Sequence, residues 1–157
     1  MNRFAGQLIA CVDWSSYLEC DGIATGVGAA LHDLLSSSSV DEATGAWMRI
    51  EEHVFSQGTI YSSAEPTVSI MLAALTEDQP PWRSGRILDL LFFIVSGVSL
   101  TDPSLQARCR RRAVEGLWLL ACWALAHEGW AQDNALEVIE VIAPERVDAI
   151  RAALSAG

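Results

Sequence analysis

The chain contains no lysine; its ten basic residues are all arginine, set against 20 acids. That absence excludes Schiff-base chemistry and the lysine of a phosphate-binding P-loop. A net charge of −10 argues against a nucleic-acid binder, which needs cationic side chains to neutralise phosphates. Close cysteine pairs are also missing. Cys11, Cys20, Cys109 and Cys122 form no C-x-x-C motif. A 157-residue chain can build its core without disulfide staples, so these read as reduced thiols of a cytoplasmic protein. Long hydrophobic runs are lacking as well. The most apolar stretches, 87–95 and 116–126, fall short of the ~18 residues a membrane span requires. Leu8-Ile9-Ala10-Cys11 looks like a lipoprotein cleavage box, but the stretch before the cysteine, with its single Arg3, is too short for a signal peptide.

Catalytic signatures are equally scarce. There is no H-E-x-x-H or G-x-S-x-G, and the glycines of residues 22–28 do not make a G-x-G-x-x-G fingerprint after a strand. Cys109, Cys122 and His127 are spaced too widely for a zinc site. Asp13, Glu19 and Asp21 are too loose for a calcium loop. His32, His53 and His127 have no nucleophile at a recognisable spacing. The expectation is a protein without catalytic residues, metal or cofactor, and not an enzyme.

What the sequence has is helical periodicity. With 51% hydrophobic and 19% charged residues, the chain reads as one folded domain over residues 1–157. Residues 1–22 show no clean period and read as irregular or weakly helical, with a short helix near Trp14. From there Val27, Ala30, Leu31, Leu34 and Leu35 follow the i, i+3, i+4, i+7 pattern of one buried helix face. A helix over 40–55 buries Ala43, Trp47, Ile50 and Val54, with Ser39 and Glu42 as an S-x-x-E capping box. Gly58 has the freedom to close that helix in the left-handed region. Ser62 and Glu65 make a second box ahead of a helix to Leu75, with Pro66 in its first turn. Residues 82–96 are apolar nearly all round, which predicts the most buried helix. A fifth helix, opened by Asp102-Pro103, reaches His127 with a bend at Gly116. Helices over 133–142 and 144–154 complete the set. With about seven helices, short loops and no convincing strand, the fold class is all-α.

At Ser56-Gln57-Gly58-Thr59-Ile60-Tyr61, followed by Ala64, Pro66, Met71, Leu72 and Leu75, the chain resembles a bacterial family of HEAT-repeat-like proteins. Those proteins carry a glutamine-glycine-threonine-valine-tyrosine loop between two helices, and Ser56 stands where a histidine is common. The resemblance implies a short α-solenoid of about three antiparallel helix pairs presenting a surface to a partner. Such proteins are often seen beside bacterial toxins as immunity or adaptor proteins. It therefore implies an immunity protein that sterically covers a cognate toxin, or alternatively an intracellular scaffold with a different partner.

Candidate contact residues follow from charge and loop position. Asp41, Glu42, Glu51, Glu52, Glu65, Glu77 and Asp78 crowd one stretch in which Arg49 is the single base. A one-sign surface speeds capture of an oppositely charged partner, so a basic toxin domain fits. Gln57 and Tyr61 lie in the loop, where they either fix the turn or touch the partner. Trp82, after Pro80-Pro81, is expected to be an exposed aromatic, whereas Trp118 and Trp123 read as core. Arg108, Arg110, Arg111 and Arg112 are expected to fan out and pair with local acids such as Glu115. Oligomeric state is expected to be a monomer or weak dimer.

Overall fold

Serines, glycines and prolines set most helix boundaries, and apolar stripes set the packing. The computed structural model describes residues 3–155. Among them are nine α-helices, covering with one 3-10 turn 72% of the described residues: α1 Arg3–Cys11, α2 Val27–Ser36, α3 Val40–Val54, α4 Ala64–Ala74, α5 Pro81–Ser96, α6 Leu105–Glu115, α7 Leu117–Ala126, α8 Trp130–Ile142 and α9 Pro144–Ser155. The fold is all-α. No helix is long and apolar enough to cross a membrane among the described residues.

The count differs from the expected seven at two places. Residues 3–11, in the stretch expected to be irregular or weakly helical, form α1, which buries Ala5 and Ile9. The expected helix near Trp14 is a single 3-10 turn, Trp14–Ser16, capped by Asp13. The expected long fifth helix is two helices, because the backbone leaves helical geometry at Gly116 (φ −98°, ψ 12°). A side chain there would collide with Leu72 of α4, so the break is also a packing contact.

The sheet content is small, as the absence of a convincing strand in the sequence implies, and consists of two antiparallel hairpins of two-residue strands: β1 Leu18–Glu19 with β2 Gly22–Ile23, and β3 Phe55–Ser56 with β4 Thr59–Ile60. The second is built by the Gln57-Gly58 turn. Both residues have positive φ, 50° and 81°, the backbone that a tight two-residue hairpin demands. Gly58 therefore turns a hairpin rather than closing a helix. The hairpin is fastened to the chain after α5, where Ile60 N donates to Val98 O (2.8 Å) and Val98 N to Gly58 O (2.9 Å).

Side-chain contacts reveal how the helices run. Gly26 faces His53 and Asp33 pairs with Arg49, so α2 and α3 are antiparallel. Arg83, at the start of α5, donates to Ser37 O just ahead of α3, while Phe93 near the end of α5 stacks on Phe55 at the end of α3. Thus α3 and α5 are parallel. Gly85 meets Trp130 and Asp89 meets Asn134, which makes α8 parallel to α5. On the other side, Glu65 meets Arg108, Leu72 meets Gly116 and Leu75 meets Trp123, so α4 runs parallel to α6 and α7. One layer is α3–α5–α8; α4, α6 and α7 back it, with α1 lying against α4 and α2.

The buried residues form one connected cluster. The most completely buried helix is α4, which hides eight of its 11 residues, Ala64, Thr67 and Met71 among them. The expectation for α5 needs correcting. It hides eight of 16, including Leu88 and Leu91, and leaves one stripe at the surface.

Candidate functional site

That stripe is the centre of an acidic face. On α3, Asp41, Met48 and Glu52 lie opposite the buried Ala43, Ile50 and Val54, given 3.6 residues per turn. On α5, Trp82, Arg86, Asp89 and Phe93 recur at helical spacing opposite Leu88 and Leu91. On α8, Asp133, Glu137 and Glu140 do the same opposite the buried Ala135 and Val138. Because the three helices lie side by side, these stripes join. Glu51 borders the seam between α3 and α5. Two bases meet these stripes, and both are engaged: Arg151 of α9, 3.2 Å from Glu140 Oε2, and, on α5 itself, Arg86. Its guanidinium lies 5.2 Å from the Trp47 ring, with Nη1 3.7 Å from Asp89 Oδ2.

Aromatic rings floor the seam between α3 and α5. Phe55 and Phe93 stack at 5.0 Å, and Trp47 meets Phe55 edge-on at 5.8 Å. Phe93 is 43% exposed. Beyond α5, Asp89 accepts a 2.7 Å hydrogen bond from Asn134 Nδ2. Burial pushes the Asp89 carboxyl above the usual carboxylate range; Arg86 opposes the shift and Glu137 adds to it. The face thus holds negative charge partly out of water, where it acts more strongly on an incoming cation than a fully solvated charge would.

The residues named from sequence are divided by the structure. Asp41 and Glu52 lie on the face. Glu42 turns toward α2, where its Oε2 accepts from Ser38 N (2.7 Å) and Ser38 Oγ (2.9 Å), which holds its carboxyl below the usual range. Ser39 Oγ accepts from Glu42 N at 3.2 Å as the capping box requires, and only the return bond to Glu42 comes from one residue earlier, Ser38 N. Glu77 and Asp78 are exposed in the turn before α5, beside the Arg83 end of the layer. Gln57 is exposed at the hairpin tip. Trp82 is half-buried with its indole N–H hidden, not the exposed aromatic expected.

Two residues belong to other places. Tyr61 lines a cavity of about 420 Å³ with Leu18, Cys20, Ser99 and Asp102. A hydrogen bond with Cys20 pushes its phenol up. Glu65 is not a cap. Its Oε2 accepts from Arg108 Nε at 2.7 Å, Arg112 Nε lies 3.9 Å from its other oxygen, and Arg108 also reaches Asp102 at 2.9 Å. The second S-x-x-E box therefore does not form. Ser62 Oγ accepts from Leu18 N, and Ser63 Oγ donates to His53 O. Arg112 meets Glu115 as expected, at 3.5 Å, while Arg110 caps Val95 O at 2.8 Å.

Trp123 is buried, its indole donating to Leu75 O at 2.8 Å. Trp118 is not core: it is 76% exposed. The histidines have structural neighbours. His53 Nδ1 lies 2.8 Å from Glu19 Oε2. His127 stacks on Trp123 at 4.0 Å. The acids missed in sequence are Asp89, Asp133, Glu137 and Glu140. Their i, i+4, i+7 spacing on α8 was visible, but only the parallel seating of α8 on α5 joins them to α3. The chain matches no protein family, and no curated protein or solved structure is significantly similar to it.

Proposed function

We propose that the chain is a non-enzymatic protein-binding module that captures a basic protein on the α3–α5–α8 face. The observation that carries this reading is the joined acidic stripe across three parallel helices, whose acids outnumber the two bases that meet them, Arg86 and Arg151, both engaged. Electrostatic complementarity of that kind accelerates encounter and selects cationic partners. Phe93 and the ring floor beneath it supply apolar anchors of the sort that dominate binding energy once charges have steered the encounter.

The same contacts support a short α-solenoid. Alternate helices run parallel, α3 beside α5 and α4 beside α6, which is how stacked antiparallel pairs repeat. Combined with the Gln57-to-Tyr61 loop resemblance, the module fits a cytoplasmic immunity protein that neutralises a toxin by covering its cationic cleft. No group in this chain has to react for that mechanism to work.

The test is to search the neighbouring reading frames for a protein with a C-terminal toxin domain and to co-express the chain with that domain. The chain should restore growth, and the Asp41→Arg, Glu52→Arg, Glu137→Arg triple variant should not. Glu65 is left out because its reversal would break the α4–α6 ion pairs. Tight binding without toxicity of the partner would replace the immunity reading with that of a scaffold. Rescue undiminished by the triple variant would remove this face from the mechanism.

A further inference from the structure

Helix α7, Leu-Trp-Leu-Leu-Ala-Cys-Trp-Ala-Leu-Ala, contains no charged residue. Such a helix belongs inside a protein, surrounded on all sides. Here one side is covered, chiefly by α8 and in part by α9, with Trp123 donating to Leu75 O just past α4: Leu120, Ala121, Trp123 and Ala124 are buried. The other side is open. Trp118 is 76% exposed, Leu125 51%, and Cys122 between them is exposed as well. One turn earlier, Val114 of α6 is 43% exposed. The result is a continuous apolar stripe on the layer away from the acidic face.

The stripe is complementary to itself. Cys122, a small residue, sits four positions after Trp118 and three before Leu125. Turned end over end about Cys122, the helix sets the indole of each copy against Leu125 of the other, with the thiols at the crossing where backbones approach most closely. Charges at the ends agree with that orientation. Arg111, two turns before Trp118, and Glu128, just past Ala126, are exposed and lack an ion pair among the described residues. Antiparallel pairing sets the Arg111–Arg112 end of each copy beside the Glu128 end of the other. Glu115, held by Arg112 at 3.5 Å, is also there, so that a net positive end meets a negative one, whereas parallel pairing sets like charges together. Opposed helix dipoles favour the same arrangement.

We infer that the α7 stripe is the interface of a symmetric homodimer, an isologous contact between two copies of this chain crossing at Cys122. This goes beyond capture of a basic protein and does not depend on it, since the acidic faces remain open in the pair.

Sedimentation equilibrium of the full chain over a wide concentration range tests the inference. A reversible dimer is expected. Trp118→Glu should raise its dissociation constant at least about tenfold, as loss of a central tryptophan anchor does. Leu125→Lys should do the same independently. Both positions are exposed, and unchanged far-UV spectra and melting would show that the variants fold. In a Cys11→Ser, Cys20→Ser background, a short bismaleimide should join two chains through Cys122, and the added Cys122→Ser should abolish the product. A wild-type chain that stays monomeric throughout overturns the inference, even if a different protein covers α7. A dimer untouched by Trp118→Glu and Leu125→Lys, or one that never yields the Cys122 crosslink, overturns it as well.

Discussion

The outer face of α3–α5–α8 and the outer stripe of α7 are both uncovered, yet they are built on opposite principles. The first holds acids in excess over a ring-lined floor, with its two bases, Arg86 and Arg151, engaged. The second has no charge from Leu117 to Ala126 and exposes Trp118 and Leu125. A charged surface keeps copies of the chain apart and attracts an opposite at long range. An apolar stripe acts only at contact and is indifferent to salt. One molecule can therefore use one face to find a partner and the other to associate with itself, without either process titrating the other.

The sharpest way to break this comparison is to damage what lies beneath both faces. Leu91 is fully buried in α5, the helix that links the two layers. Leu91→Ala should cost about 2–5 kcal/mol through lost transfer energy and a residual cavity. Urea unfolding should then show the loss as a shifted midpoint with an unchanged slope. A cost below about 0.5 kcal/mol would place α5 outside the core.

Next in size are the acid reversals. Changing Asp41, Glu52 and Glu137 to arginine takes the net charge from −10 to −4. The on-rate for a basic partner should fall by about tenfold or more at low salt and by much less near 0.5 M, where the Debye length is only a few ångströms. Stopped-flow association measures it. Trp118→Glu should leave that rate within about twofold, and a large drop there would mean that the two faces are one.

Gly97 offers a third probe. A Cβ there would lie 2.5 Å from Ile60 Cγ2 and 2.9 Å from Phe93 O, and the backbone atom has little freedom to move. Gly97→Ala should cost about 1–3 kcal/mol in thermal or chemical unfolding, as overpacking does. It would also loosen the junction of hairpin and α5 below Phe93.

The smallest effects are pH-dependent and have opposite signs. Asp102 is held at about 2, chiefly by the Ser104 hydroxyl and then by Arg108. A carboxyl lowered in the folded state stabilises fully above its unfolded value of about 3.9, and that contribution disappears as pH falls toward 2. Melting between pH 5 and 2 should therefore show an acid-side loss that shrinks in Asp102→Asn. Asp89 is raised by burial, so its folded form holds a proton more tightly than the unfolded chain does. Its ionised state is a burden at neutral pH, and it is relieved as pH drops through the folded value. Asp89→Asn should slightly raise the melting temperature at pH 7 while weakening capture of a basic partner. A variant that weakens both would assign Asp89 to structure rather than to the face.

Legibility in the sequence depended on where each decision was made. Helix interiors were readable, because Ala43, Ile50 and Val54, or Leu88, Leu91 and Val95, repeat with the period of the helix they form. Boundaries set by distant residues were not. Glu65 has a cap's spacing, but Arg108, 43 positions on, holds it by a charge-assisted bond that a Ser62 backbone amide could not match. The break at Gly116 coincides with the close approach of Leu72, which no local pattern contains. Nine-residue α1 is too short to display a full period, and only Ala5 and Ile9 reach the core. Trp118 read as core because apolar runs say nothing about which side of a helix is left open. Of the candidate face, Asp41 and Glu52 could be named beforehand. The acids of α5 and α8 required knowledge of which helices lie side by side.

Helix α9 buries Val147 alone, while α4 hides nearly all of its length. In a stack where each helix leans on its neighbours, that gradient sets an order of opening. Backbone amides of α9 should exchange with solvent deuterium through frequent local fraying. Those of α4 should wait for global unfolding, with α8 between the two. The last helix behaves as a loose end-cap, shielding the margin of α8 most of the time and renewing its contact continually.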